Sequence, residues 1–475
     1  MRISSSGVVT TPFSFSCLIP KFWIARCRVQ CCRAGVVVAV FTSISIAVAE
    51  DWTQFRGPHG DSIVRNATIP EEWGEQSHVA WKVPLPGRGW SQPVAAKGKI
   101  FVTTAECDDE EKPRRGEMGI VPGAADSRNF TYRWKLLCVS AETGAVLWEQ
   151  VAHEGKPRVR KHRSNTFASE TPATDGELVI AYFGMTGINC YDFEGKRLWT
   201  KDLGAYPMQA DWGTGSSPVI FGDTVLVQCD NSKSSFLVAL DKRKGDEIWR
   251  VARQEPSNWS TPYVWKNKER TELVTAGGNR TRSYDPATGD LLWEMKGSGR
   301  TSSSPVGNDE LLFIDSVESF MGSPGRLAAI RVGAKGDISL NGNEKSNDWI
   351  AWSLMLNSYR NTSPLLYENC LYMLEQNQGI VRCYDGSTGK LHYQKRMPEA
   401  AGSTASPWAA NGKIFCLDEV GRTVIFEAGP EFKPLATNRL DEDLFWASPA
   451  FAGDCLILRS MQYLYCIREN SPDMN

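Results

Sequence analysis

The stretch Trp259-Ser-Thr-Pro-Tyr-Val-Trp265, followed by a β-type run at 272–276 and then by Ser283-Tyr-Asp-Pro-Ala-Thr-Gly-Asp-Leu-Leu-Trp293, decides the fold. Its parts recur along the chain. A proline preceded by Ser, Thr or Gln returns at Pro93, Pro172, Pro218, Pro262, Pro305, Pro364, Pro407 and Pro449. The spacing is 42 to 46 residues, except for two longer intervals of 79 and 59. Short apolar runs follow each proline, as at 99–103, 224–227 and 413–416. Each unit then meets a turn and a final run, as in Cys138-Val-Ser-Ala-Glu-Thr-Gly-Ala-Val-Leu-Trp148 and Cys383-Tyr-Asp-Gly-Ser-Thr-Gly-Lys-Leu-His-Tyr393.

Asp followed by Thr-Gly is hairpin chemistry: glycine supplies the positive φ, and the Asp side chain bonds the turn backbone. The Trp four residues beyond the glycine is a large apolar anchor against the next unit. Helical periodicity of useful length is missing. Four short antiparallel strands in roughly 43 residues, repeated eight times, is the arithmetic of an all-β, eight-bladed β-propeller. The eighth unit (447–469) holds three strands before the chain ends. The segment Ala80-Trp-Lys-Val-Pro84 resembles the fourth strands yet precedes the first unit. An N-terminal strand completing the C-terminal blade would close the ring and leave no open edge; the competing arrangement is an open solenoid with capped ends.

The first 49 residues differ. Lys21, Arg26, Arg28 and Arg33 precede a short apolar run at 34–48, and Ala47-Val-Ala49 has the small residues of a cleavage site. This pattern predicts a secretory signal peptide cut after Ala49, with a basic region long enough that translation can start downstream of Met1. The apolar run is short of a membrane span, so none is expected in the mature chain. Four of the 13 cysteines leave with that leader. The remaining nine include Cys138, Cys190, Cys229, Cys383, Cys416 and Cys466 within apolar runs, where they read as small buried hydrophobes. Residues 50–79 form an extension with Trp52, Phe55 and Trp73, expected against the outside or one face of the ring, and 471–475 a tail. Polar insertions at 106–133 and 333–347 read as surface loops. A formal charge of −2 gives no general pull toward nucleic acid.

The Asp-x-x-Thr-Gly-x-x-x-Trp units resemble the tryptophan-docking repeats of the PQQ-like (quinoprotein-type) β-propellers, from about Trp81 to Glu469. The opening Asp51-Trp-Thr-Gln-Phe-Arg-Gly-Pro58, with 258–265 and 336–340, resembles the secreted PQQ-like repeat proteins of environmental bacteria. That superfamily holds quinone-dependent dehydrogenases as well as BamB, a propeller without a cofactor. The resemblance therefore implies either a binding and scaffolding module or a PQQ-dependent dehydrogenase with Ca²⁺. The adjacent cysteine pair of the methanol-dehydrogenase type is absent from the mature chain.

Strand order within a blade gathers residues 86–90, 155–170, 207–215, 255–259, 354–361 and 444–446 on one face, away from the Thr-Gly turns. Loops at one end of a rigid β-scaffold are the default binding place. Trp90, Trp259 and Trp446 each sit three residues before a unit proline and so hold equivalent slots; Trp212 lies nearby. They read as an aromatic lining for a flat ligand or an apolar peptide side chain, or as packing under loops. The same loops carry Arg88 and the basic run 156–163, which suits a carboxylate or sulfate, including a sulfated glycan. His162, Arg163, Asn165, Glu170, Asp230 and Asn258 are the polar candidates. Their spacing lacks the density of a self-contained calcium loop, so no metal site is assigned. With five histidines, no Gly-x-Ser-x-Gly and no His-Glu-x-x-His, a catalytic set is not legible, and binding is favoured over catalysis. The expected partner is a protein, peptide or glycan outside the cytoplasm.

Overall fold

Each unit runs from continuously buried inner strands to an outer strand whose exposure alternates, as in Lys99–Glu106 against Val146–Gly155, and Gly-containing turns punctuate it, so it folds as an antiparallel meander. The computed structural model of the chain describes residues 50–66, 68–108, 126–297, 299–316, 324–357, 360–376, 378–440 and 443–469. The leader, residues 109–125 of the first insertion and the tail lie outside these. Among the described residues the strands form eight sheets, each built on four antiparallel strands, and no α-helix occurs. Blade 1, for example, comprises Val94–Ala96, Lys99–Glu106, Tyr132–Ser140 and Val146–Gly155. The first strands of neighbouring blades touch one another around the axis. The fourth strands form the rim, where Leu147, Leu198 and Ile248 are exposed. Among the described residues no helix is long and apolar enough to cross a membrane.

The ring closes as the sequence predicts. Val79–Pro84 pairs antiparallel with Tyr463–Ile467, so the last blade takes its outer strand from the start of the domain.

A second closure lies around the axis. The residue before seven of the eight unit prolines uses its backbone N–H to reach the hydroxyl of its counterpart in the next blade. Gln92, Thr171, Ser217, Thr261, Ser304, Ser363 and Ser406 donate in turn to Thr171, Ser217, Thr261, Ser304, Ser363, Ser406 and Ser448, at 2.9–3.0 Å. Gln92 completes the circle, since its side-chain amide donates to the Pro449 carbonyl. These groups are buried, so an unmade bond would cost more than a made one gains.

At the periphery the tryptophans dock blade to blade. The indole N–H groups of Trp81, Trp148, Trp199, Trp249 and Trp352 donate to turn carbonyls of the following blade at 2.9–3.2 Å. The rings lie on the turn glycine: at Gly245 (φ 74°) a Cβ would come within 2.6 Å of the Trp199 ring. Where the next blade lacks the turn, something else fills the seam. Trp293 donates instead to the buried Glu272 at 2.7 Å. Gly336–Asp337, from the second insertion, adds a fifth strand parallel to Trp293 and Glu294. Beside blade 7, Asn438 brackets Trp73 and Glu71 of the N-terminal extension.

The extension departs from expectation in its first half. Residues 52–65 do not lie on the outside or on one face; they cross the axis. The Trp52 carbonyl accepts from Ala95 of blade 1 and the Thr53 carbonyl from Thr174 of blade 2. Arg56 reaches the Pro305 and Pro364 carbonyls of blades 5 and 6. Ile63–Val64 pairs parallel with Ala409 and Ala410 of blade 7. The physical reason is that first-strand edges around the axis would otherwise leave backbone groups unpaired.

Removing one ring hydroxyl should be costly. Ser304→Ala leaves the buried N–H of Thr261 without its acceptor and is expected to lower stability by about 1–3 kcal/mol. Ser304→Thr keeps an acceptor already used at positions 171 and 261 and should stay within about 1 kcal/mol of the wild type. Urea unfolding of the two variants measures the difference.

Candidate functional site

The loop face carries a cavity of about 260 Å³ whose walls are aromatic. Trp90, Trp212, Trp259 and Trp446 all line it, and so does Asn165. The four indoles stand in two pairs. Trp90 and Trp446 lie 4.7 Å apart at 38°, and Trp212 and Trp259 lie 5.6 Å apart at 51°. Two of them are fixed through their N–H groups: Trp90 donates to the Ser164 carbonyl at 2.7 Å and Trp259 to the Gly213 carbonyl at 2.6 Å. Their polar edges are thereby committed to the scaffold. The buried indole N–H of Trp446 has no such partner.

Sequence reasoning placed the segments holding Ser164, Ser169, Thr214, Gly215 and Asn361 on this face without singling these residues out, and it did not find Phe55, Arg300 or Gln376. Phe55 comes up from the axial segment, and Arg300, Asn361 and Gln376 come from blade loops. The Arg300 guanidinium lies 4.0 Å over the Trp212 ring, in cation–π geometry. Arg300 precedes Pro305 by five residues, two more than the tryptophan slot, and only the folded loop aims it inward. Asn165 works as a clasp. Its amide donates to the Trp212 and Thr214 carbonyls at 3.0 and 3.2 Å, and its oxygen accepts from the Phe167 N–H at 2.8 Å.

The other candidates sit outside this cavity. Arg88 belongs to a loop whose backbone pairs with Ala105. That loop rests on Arg459, and a Cβ at Gly89 would come within 2.2 Å of the guanidinium. Arg459 is buried and donates to the Ser91 carbonyl at 3.0 Å, and burial lowers its pKa to about 9. His162 is buried, its ring nitrogen 2.6 Å from the Ser164 hydroxyl. Arg163 is not among the lining residues. In the basic run, Arg158 pairs with Asp202 through two bonds of 2.8 Å, and Arg160 pairs with Asp126. Asp230 is held by two bonds from Arg253, at 2.8 and 3.0 Å, with both side chains fully buried. Asn258 accepts from the Thr301 N–H at 2.7 Å and donates to the Ala276 carbonyl. Asp230 and Asn258 line a separate chamber of about 20 Å³.

A quinone with Ca²⁺ would need convergent oxygen ligands and a carboxylate base at the cavity. Among the described residues no carboxylate lines the aromatic cavity, and no group of three or more His, Cys, Asp or Glu comes together. The oxygens of Asp230 and Asn258 are already taken by Arg253 and Thr301. These donors do not fit that cofactor pair.

Glu170 is the exception among the carboxylates. It is buried, and neither carboxyl oxygen meets a donor in good hydrogen-bond geometry. Desolvation raises its pKa to about 7 from the usual 4.5, tempered by the nearby Thr214 hydroxyl and by the Glu170 and Ser169 backbone. Below pH 4.5 the carboxyl is protonated in folded and unfolded chains alike. Between pH 4.5 and 7 the unfolded chain ionises while the folded one keeps its proton, so stability falls as pH rises. Glu170→Gln removes this term. The variant is expected to match the wild type near pH 4 and to exceed it by on the order of 3 kcal/mol at most above pH 7. Denaturant unfolding across that range checks the opening of the gap.

Comparison with known proteins agrees with the ring. The family described as outer membrane protein assembly factor BamB matches residues 80–258 and again 233–471. BamB from Moraxella catarrhalis is similar in structure, with a TM-score of 0.54 at 12% identity, covering 82% of this chain and 99% of that one. A europium-containing methanol dehydrogenase gives 0.57 at 12% identity, over 88% and 98% of the two chains. The quinohemoprotein alcohol dehydrogenase of Comamonas testosteroni gives 0.54 at 11%, over 90% and 82%. No curated protein sequence matches the chain. With the family matched over nearly the whole ring, the chain belongs to the BamB-type family of PQQ-like β-propellers.

Proposed function

We propose that this protein is an exported binding module that grips a compact group of a partner protein, peptide or other ligand in the aromatic pocket of its loop face. One observation carries the reading. Four tryptophans from loops far apart in sequence converge on one cavity, and no carboxylate lines it among the described residues. Indole rings held by their N–H groups present rigid apolar faces at low entropic cost, which suits recognition. Export is supported by the leader pattern at 1–49. The competing reading, a PQQ-dependent dehydrogenase, draws on the likeness to quinoproteins, which is a likeness of fold. Glycan binding shares the aromatic walls, but the guanidinium forks of Arg158 and Arg160 are engaged by Asp202 and Asp126.

Cross-linking of the mature protein in its native envelope, followed by mass spectrometry, should capture a partner that is lost from both Trp90→Ala and Trp259→Ala. The same protein mixed with PQQ and Ca²⁺ should reduce no redox dye with alcohols or sugars. Dye reduction would replace binding with catalysis. A partner set unchanged in both variants would remove the pocket from the function.

A further inference from the structure

Two cavities of the ring share part of their lining. Phe55 and its neighbour Thr261 line both the loop-face pocket and a second cavity of about 700 Å³. That second cavity opens among the turns of the opposite face, beside Asn308, Asp309, Glu368 and Asn369. A propeller axis left clear would join the two. Here the segment 52–65 occupies the axis, and its hold is strong for so short a stretch.

Arg56 is the anchor. It is 1% exposed, and its guanidinium donates to the Ser62 hydroxyl at 3.1 Å and to the Pro305 carbonyl at 3.2 Å, with a further bond to the Pro364 carbonyl. Its backbone N–H donates at 2.7 Å to the Gln92 side chain, the group that completes the ring of pre-proline contacts. Trp52 packs edge-on against Phe451 with ring centroids 5.0 Å apart. Phe55 is therefore flanked on both sides by residues tied to several blades. Its backbone is held by these bonds to blades 1, 5 and 6.

We propose that Phe55 is the floor of the ligand pocket and the residue that determines how deep an occupant can reach. This rests on the reading of the loop-face pocket as the ligand site. The pocket is then blind-ended. Its occupant enters and leaves by the loop face alone and is a compact group, a side chain or a chain end, rather than a polymer threaded through the ring. The limit on depth comes from the chain's own N-terminal segment, while the walls come from blade loops.

The test uses a homologous series of ω-phenylalkanols as probes, from phenylethanol to phenyloctanol, with binding read by quenching of tryptophan fluorescence. In the wild type, affinity should rise with chain length and then stop rising. In Phe55→Ala the break should move by at least two methylenes, and the longest probes should bind about tenfold tighter than to the wild type. Phe55→Leu, which keeps an apolar contact at the axis, should move the break less in the same direction, and it carries the test if the alanine variant fails to fold. Trp259→Ala should weaken every member of the series. An identical break in wild type and both Phe55 variants, with binding still dependent on Trp259, would overturn the floor and leave the pocket standing. Absence of any Trp259-dependent binding to the wild type would overturn the pocket as a ligand site and the floor with it.

Discussion

Around the axis, one contact repeated seven times holds the blades in register: a backbone N–H on one blade and a Ser or Thr hydroxyl on the next. The donor belongs to the residue just before a proline. Proline has no N–H, and it biases the preceding residue toward extended backbone. That residue's own N–H is then the last donor before the first strand, and it points sideways rather than into its own sheet. The neighbouring hydroxyl is short and stiffly placed, so each blade fixes the angular position of the one before it. Gln92 breaks the pattern at the seam where the ring closes. Its longer side chain spans from the Pro449 carbonyl to the Arg56 N–H, so the closure of the ring and the seating of the axial segment share one amide.

The rim is held differently. Tryptophan docking is an apolar contact with one directional bond, and it depends on a glycine turn in the next blade. Where a turn is lost, the seam is sealed by whatever chain is at hand, as at Trp293 with its Glu272 acceptor and the added strand at 336–337. Each replacement covers an exposed edge that would otherwise offer unpaired backbone groups. The inner ring tolerates less, because it has no room for substitutes.

The pocket follows from this geometry. Loops that enter the first strands must converge above the axis, so the slot three residues before the proline faces inward in every blade that places an aromatic there. Trp90, Trp259 and Trp446 occupy it. The same convergence makes polar neighbours structural, since a buried loop must satisfy its own backbone. His162, Asn165, Asp230 and Asn258 serve that need, and their side chains are bonded to the scaffold. Glu170 does not, and its burial without a good donor raises its pKa to about 7.

The sequence by itself determined the number of blades, their strand order and the closing strand at 80–84. All three follow from a period that is local: the pre-proline residue, the Thr-Gly turn and the Trp beyond it lie within one unit. It also placed four tryptophans and Asn165 on the right face, because strand order alone sorts loops between two ends. Tertiary structure decided the rest. Phe55, Arg300 and Gln376 carry no periodic signal, and Arg56 is joined to the Pro364 carbonyl across 308 residues. Nothing in the run Trp52-Thr-Gln-Phe-Arg distinguishes a surface extension from an axial one. The distinction arises once eight first strands surround a common axis and leave their inward carbonyls in need of donors.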